Sequence, residues 1–219
     1  MSATLGGLPV AGFAVVHAAP IEGHGLEDFG AVALGVGKVA SAVRCAELLR
    51  GRARGETRAV LLFGIAGACP ERLRGSAPPA GVGDLVVVRR DLLGDEGVET
   101  PDGFLDLGAM RLGDCGPFGA DPRLARAAAE RLGAPLVDGV TVSTCSGTDG
   151  SARRVFERTG ADVETMEGAA IAYVCRQLEL PLVHVRAISN WTGDRDRGQW
   201  QLGAAVDAVQ RAVRLLLRP

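Results

Sequence analysis

Residues 163–172 read "VETMEGAAIA", with Glu164, Met166 and Glu167 set against the start of an alanine-rich, helix-like run. A helix N-terminus favours negative charge, so Glu167 is expected to stay ionised there, either as an acceptor for a ligand or as a first-turn glutamate that only complements the dipole. Met166 beside it offers a polarizable apolar surface. Glu164 is expected to be solvated. Glu22 follows the first β-like run in "VVHAAPIEGHG", at a strand end, where the active sites of open α/β sheets collect. A lone carboxylate at such a place is either a general base or an exposed loop residue. His17 and His24 flank it and are expected to be packed or surface histidines, since nothing pairs them with a nucleophile.

These side chains need a scaffold, and the hydrophobic pattern supplies one. "GFAVVHAA", "AVALGVG", "TRAVLLFGIAGA", "DLVVVRR", "LVDGVTVSTC" and "LPLVHVRAIS" read as strands buried on both faces. Residues 37–51, 121–133, 150–159, 167–179 and 203–217 show helical spacing, and "DPRLARAAAERLG" carries an Asp cap, a first-turn Pro and a closing Gly. The alternation predicts an α/β chain with a central mixed, mostly parallel twisted sheet flanked by helices, and a single domain over residues 1–219. Residues 70–81 and 91–119 read as long loops. Glycine-rich turns follow two strands, "GVGK" at 35–38 and "FGIAGA" at 63–68. Each lets a backbone approach a ligand, and each is equally well a tight strand-to-helix turn. "GVGK" fits neither the dinucleotide nor the triphosphate spacing.

Composition narrows the ligand. With 24 basic and 26 acidic side chains the net charge is −2, which leaves no footprint for nucleic acid or an anionic membrane. The 47% hydrophobic content allows a sizeable core, and no apolar run approaches the ~20 residues of a membrane span. Five widely spaced cysteines without a CxxC pair predict neither a disulfide framework nor a zinc cage, and fit a reducing cytoplasm. A small molecule is the expected ligand.

Taken in order, "GVGKVASA", "FGIAGA", "VGDLVVV", "VETMEGAAIAYVC" and "PLVHVRAISN" resemble the purine nucleoside phosphorylase and nucleosidase family over residues 12–217. Within it, "TMEGAA", Asn190 in place of the nucleosidases' aspartate, and "SNWTGDRDRGQW" resemble the branch that cleaves futalosine on a route to menaquinone. The resemblance implies a cytoplasmic, homo-oligomeric hydrolase of a purine nucleoside, with no metal and no organic cofactor. Cleaving an N-ribosidic bond builds positive charge on the sugar and negative charge on the departing base, so acceptors belong near the ribose and donors near the purine. By resemblance, Glu22 activates the attacking water, Glu167 accepts from the ribose hydroxyls, Arg186 holds the water and glutamate network, and Ser189 and Asn190 face the base. An Asn amide can donate to N7 and O6, which favours hypoxanthine over adenine. Structural alternatives stay open for Asn190, as a turn residue, and for Arg186, as a buried pair.

Phosphorolysis needs a phosphate donor at the glycine loop, where this chain has Ile65, followed by Ala66 and Gly67. Water is therefore the expected nucleophile, although Lys38 keeps a phosphate reading alive. Trp191, Trp200 and Phe104 are the candidate purine stackers among scarce aromatics, or ordinary core. "GDRDRGQW" reads as a solvated loop, yet Arg195 or Arg197 matches the carboxylate that ends futalosine.

Overall fold

A computed structural model describes residues 3–52, 55–73, 80–194 and 200–218. The runs rich in Val, Leu, Ile and Ala become the long strands: β3 (Phe13–His17), β5 (Ala59–Ala68), β6 (Leu85–Leu93), β10 (Leu136–Thr141) and β12 (Leu182–Trp191). Shorter strands complete the set: β1 (Thr4–Leu5), β2 (Leu8–Pro9), β4 (Val32–Ala33), β7 (Gly97–Thr100), β8 (Gly103–Asp106), β9 (Phe118–Gly119) and β11 (Val163–Thr165). The helices are α1 (Pro20–Gly23), α2 (Lys38–Gly51), α3 (Pro70–Leu73), α4 (Pro122–Leu132), α5 (Asp149–Thr159), α6 (Gly168–Gln177) and α7 (Leu202–Leu217).

The central sheet runs β11-β10-β6-β12-β5-β3-β4, with β9 on the edge of β6. It is mixed and mostly parallel, as expected: β6 pairs antiparallel with β12 and β9, whereas the pairings β3–β4, β3–β5, β5–β12, β6–β10 and β10–β11 are parallel. The sheet also closes. Glu164 and Val163 of β11 pair antiparallel with Gly67 and Ala68 at the end of β5, so β5, β12, β6, β10 and β11 form a ring. Twist accumulating along the sheet brings its edge round to the far end of a ten-residue strand. Helices cover it on both sides: α4 and α7 bury Leu124, Val209, Val213 and Leu216 against Phe13, Leu61, Phe63 and Val185, while α2 and α6 bury Cys45, Leu49, Ile171 and Cys175 against Val60 and Leu62.

Local signals explain the helix ends. Asp121 accepts from the amides of Arg123 and Leu124, Pro122 opens α4, and Gly133 closes it in the left-handed region at φ 61°. One expectation is corrected. The segment 91–119 is not a plain loop: β6 runs on to Leu93, and β7 and β8 form a hairpin whose backbone pairing, with Gly103 at φ 137°, leaves a weak hydrophobic signature because both strands are solvated.

Candidate active site

Glu22, Ile65, Ala66, Gly67, Glu167, Arg186, Ser189 and Asn190 come from four separated stretches, and the strand ends bring them together. Glu22 lies in α1, directly after β3, and is buried. Its Oε2 accepts from the amides of Ala18 (3.0 Å) and Ala19 (2.9 Å), and its Oε1 accepts from the amide of Ile65 (3.0 Å). Three main-chain donors thus hold the carboxylate in one orientation. Gly64 makes this possible: a Cβ there would strike Arg186 Nη1 and would lie 2.7 Å from Glu22 Oε1.

Arg186 is fully buried. Its Nε donates to His184 Nε2 (2.6 Å) and its Nη1 to the Ile65 carbonyl (3.1 Å). Nη2 faces Glu167 Oε2 at 3.9 Å and has no hydrogen-bond partner among the described residues. Glu167 caps α6 but does not bond its helix. Instead Oε1 accepts from the amide of Gly37 (3.0 Å), so the "GVGK" turn belongs to the site. Gly37 reaches that position at φ 92°. Burial raises the Glu167 carboxyl above its usual range, against the pull of Arg186 and the Gly37 amide. Desolvation thus works against the helix terminus, which favours the ionised form.

At the other side of β5, a bulge in β12 falls at Ser189, since Ile188 stands opposite Ala66 and Asn190 opposite Gly67. Such an extra residue re-aims side chains. Ser189 Oγ donates to Asn190 Oδ1 (2.8 Å) and also lies 3.2 Å from the Ala66 carbonyl. Asn190 Nδ2 donates to the Trp191 carbonyl (2.9 Å). The amide oxygen is therefore satisfied and one N–H is used, and Asn190 lines a cleft together with Gly67, Cys145, Ser146, Glu164 and Trp200. Met166, half-buried, sits between Glu164 and Glu167.

Several expectations change. Glu164 is not solvated: it is 4% exposed, and both its oxygens accept from Ser146, Oε1 from the amide (2.8 Å) and Oε2 from the hydroxyl (2.6 Å). Lys38 is paired with Asp95 (2.6 Å) and Glu96 (3.0 Å), so its charge is already matched by two carboxylates. Phe104 lies on the β7–β8 hairpin beneath the Arg158 guanidinium (4.0 Å), whereas Trp191 packs on a buried cluster with Ala66 and Ile188. His17 is buried, binds the Ala19 carbonyl through Nδ1 (2.9 Å) and is held below its usual pKa by that burial. His24 is exposed. Arg195 and Arg197 lie outside the described residues.

Behind Arg186 stands a group that the sequence reading missed. His184 is completely buried and kept neutral by desolvation and by Arg186. Because its Nε2 accepts from Arg186, its proton sits on Nδ1, which faces Asp91 Oδ2 at 3.9 Å. Thr141 Oγ1 donates to Asp91 (3.1 Å) or Thr165 (3.1 Å) and accepts from the Ala169 amide (2.7 Å), tying Asp91 to the start of α6. The available signal was the spacing of two in "HVR", which puts His184 and Arg186 on one face of a strand.

The family model of the phosphorylase superfamily matches residues 21–218. Futalosine hydrolase of Thermus thermophilus is 36% identical over 201 residues, covering 89% of this chain and 84% of its own. Futalosine hydrolase of Streptomyces coelicolor is 41% identical over 140 residues, covering 64% of this chain and 59% of its own. Among solved structures, a methylthioadenosine/S-adenosylhomocysteine nucleosidase from Colwellia psychrerythraea, in complex with adenine, superposes with a TM-score of 0.76 at 22% identity, covering 94% of this chain and 93% of its own.

Proposed function

The chain belongs to the phosphorylase superfamily, and from that premise we propose that it hydrolyses the N-ribosidic bond of futalosine, releasing hypoxanthine and dehypoxanthine futalosine on the route to menaquinone. The observation that carries this reading is the pair of buried carboxylates, Glu22 and Glu167, set around the Arg186 guanidinium at the strand ends. Glu22 takes a proton from the attacking water, and the free donor of Arg186 orients that water. As the C–N bond breaks, positive charge grows on the ribose, and Glu167 accepts from its hydroxyls more strongly. The electron pair leaves with the purine, where the unused Asn190 N–H meets N7 and O6 and offsets the negative charge. Oxygen from water ends on the sugar and its proton on the base, so the step balances without a metal. Met166 supplies apolar surface for the sugar. Ile65, Ala66 and Gly67 form the wall between sugar and base, and Ser189 holds the Asn190 amide in its orientation. Arg195 is assigned to the far carboxylate of the substrate.

Water is favoured over phosphate because Ile65 offers no side-chain donor and Lys38 is paired. Adenine release is the nearest rival, since the Colwellia psychrerythraea relative binds adenine. We take residues 1–219 as a single nucleosidase domain, cytoplasmic and homo-oligomeric. Five cysteines free of disulfides favour a reducing compartment, and among the described residues no helix is long and apolar enough to cross a membrane. The test is incubation with futalosine, inosine and methylthioadenosine, each with and without phosphate. Free hypoxanthine from futalosine in phosphate-free buffer is expected. Strict phosphate dependence with a sugar 1-phosphate product would overturn hydrolysis, and adenine release alone would overturn the substrate.

A further inference from the structure

Arg186 stands opposite Gly64 in the parallel pairing of β12 with β5. A guanidinium carries its N–H donors in one rigid plane, so the direction of the free donors is set by whatever holds the others. Two acceptors hold this one at different nitrogens: the Ile65 carbonyl takes Nη1 (3.1 Å), and His184 Nε2 takes Nε (2.6 Å). Together they fix both the place and the plane of the group. Nη2 is left facing Glu167 Oε2 at 3.9 Å, without a hydrogen-bond partner among the described residues.

The His184 ring is itself closely confined. Side chains two apart on a strand share a face, which puts His184 beside Arg186 on β12. Burial keeps the imidazole neutral, and the Arg186 charge acts the same way. A neutral ring has one lone pair, and because arginine cannot accept, that lone pair lies on Nε2. Nδ1 faces Asp91 Oδ2 at 3.9 Å, and the other oxygen of Asp91 lies 3.1 Å from Thr141 Oγ1. Two glycines make room for this pair. A Cβ on Gly168, at the start of α6, would lie 2.6 Å from His184 Cε1, and one on Gly139 of β10 would lie 2.9 Å from Asp91 Cγ. Residues of β6, β10, β12 and α6 thus surround one ring. Burying an imidazole costs free energy that an aliphatic side chain in the same place would avoid, so what the ring supplies is its acceptor.

We propose that His184 is a positioning residue for bond cleavage: packed between Asp91 and Gly168, it accepts from Arg186 Nε and so sets the plane in which Nη2 is aimed at the space beside Glu167. This rests on the reading above of Arg186 as the group that orients the attacking water, and adds to it the residue that orients Arg186. His184 touches neither the water nor the nucleoside. Its loss therefore slows the chemical step while substrate binding is kept.

The experiment compares the parent with His184→Gln, whose side-chain oxygen can accept near the place of Nε2, and with His184→Leu, which fills the space without an acceptor. Both kcat and KM are measured on whichever of futalosine, inosine and methylthioadenosine the parent cleaves. His184→Leu is expected to lower kcat by ~10²-fold with KM changed only a few-fold, the effect of displacing a reacting group by about 1 Å. His184→Gln should recover at least ~10-fold of that loss, because it restores the acceptor. A folded His184→Leu with kcat within a few-fold of the parent would overturn the proposal. So would a folded His184→Gln as slow as His184→Leu, since the shape of the ring and not its lone pair would then matter. Nitrogen NMR of the parent with isotopically labelled histidine gives a readout that needs neither turnover nor a folded His184→Leu. The signals that His184→Gln removes should be those of a neutral ring with its proton on Nδ1. A charged ring, or a proton on Nε2, would leave no acceptor for Arg186 and would also overturn the proposal. Failure of the parent to cleave futalosine would instead strike the substrate proposed above, since the comparison of variants runs on any nucleoside that is cleaved and the tautomer is read without one.

Discussion

Glu22 illustrates how one side chain can be positioned by backbone alone. Three amides hold it, so replacing it by Gln keeps the shape but turns an NH2 group against main-chain N–H donors and removes the base. Glu22→Gln is expected to lower kcat on futalosine by ~10²-fold or more, with KM changed only a few-fold. Steady-state kinetics checks this, and turnover within a few-fold of the parent would assign the base elsewhere. Asp91 makes a different argument. Burial pushes its carboxyl up to about 7, from an ordinary value of 3.8. Between these values the native state keeps a proton that the unfolded chain has released. Stability from this group is therefore present at low pH and falls as pH rises through the window, by up to ~1.4 kcal/mol per pH unit. Asp91→Asn removes that loss, and its effect on Tm should become more favourable from about pH 4 to about pH 8. A Tm difference from the parent that does not change with pH would show that Asp91 ionises in the native state as it does in the unfolded chain.

At the scale of elements, the site depends on where strands stop and how closely they approach. The end of β5 passes between Glu22 and Arg186 at Gly64 and between Glu164 and Asn190 at Gly67, so at both places the strand carries no side chain at the contact. Gly64→Ala would push a methyl group into Arg186 and the Glu22 carboxylate, neither of which can retreat. It should reduce futalosine turnover by at least ~10²-fold, since displacement of the reacting groups by about 1 Å has that effect. Gly203→Ala is the matched comparison: Gly203 lies in α7 with open space around its Cβ position, and alanine there should be neutral or stabilising by up to ~1 kcal/mol. Parallel activity and melting measurements test both. Equal activity in the two variants would mean that β5 does not confine the catalytic groups.

At the scale of the whole molecule, the apolar surface is unevenly spread. Val36, Val39 and Val43 are exposed on and beside α2, with Val39 at 79% exposure, and Val39 shares a cleft with Leu107 and Tyr173. Contiguous exposed apolar surface on a folded protein marks an interaction site. The homo-oligomer proposed above is placed there, beside the glycine turn that holds Glu167. Light scattering should give a mass at least twice the 22.6 kDa of one chain, and Val39→Asp should shift it towards the single-chain value. A monomer at micromolar concentration would overturn the assembly.

Local pattern by itself determined the α/β class, the five long helices and the principal strands, because apolar periodicity and caps such as Asp121 act over a few residues. It also singled out Glu22, Glu167, Arg186 and Asn190 as residues able to do chemistry, through their position at strand ends and the resemblance of their motifs. The short strand β11 and the β7–β8 hairpin escaped it, since three or four residues, half of them polar, carry too little periodicity. What only the tertiary structure decided were long-range pairings. Ring closure between β11 and β5 put Glu164 in a cleft shared with Asn190 instead of in solvent. Burial raised the Glu167 carboxyl where the helix dipole alone predicted the reverse. The salt bridges of Lys38 to Asp95 and Glu96 settled a charge that sequence left open. In each case the deciding term is desolvation or contact between residues at least 50 positions apart or on different strands, which a local reading of the chain does not contain.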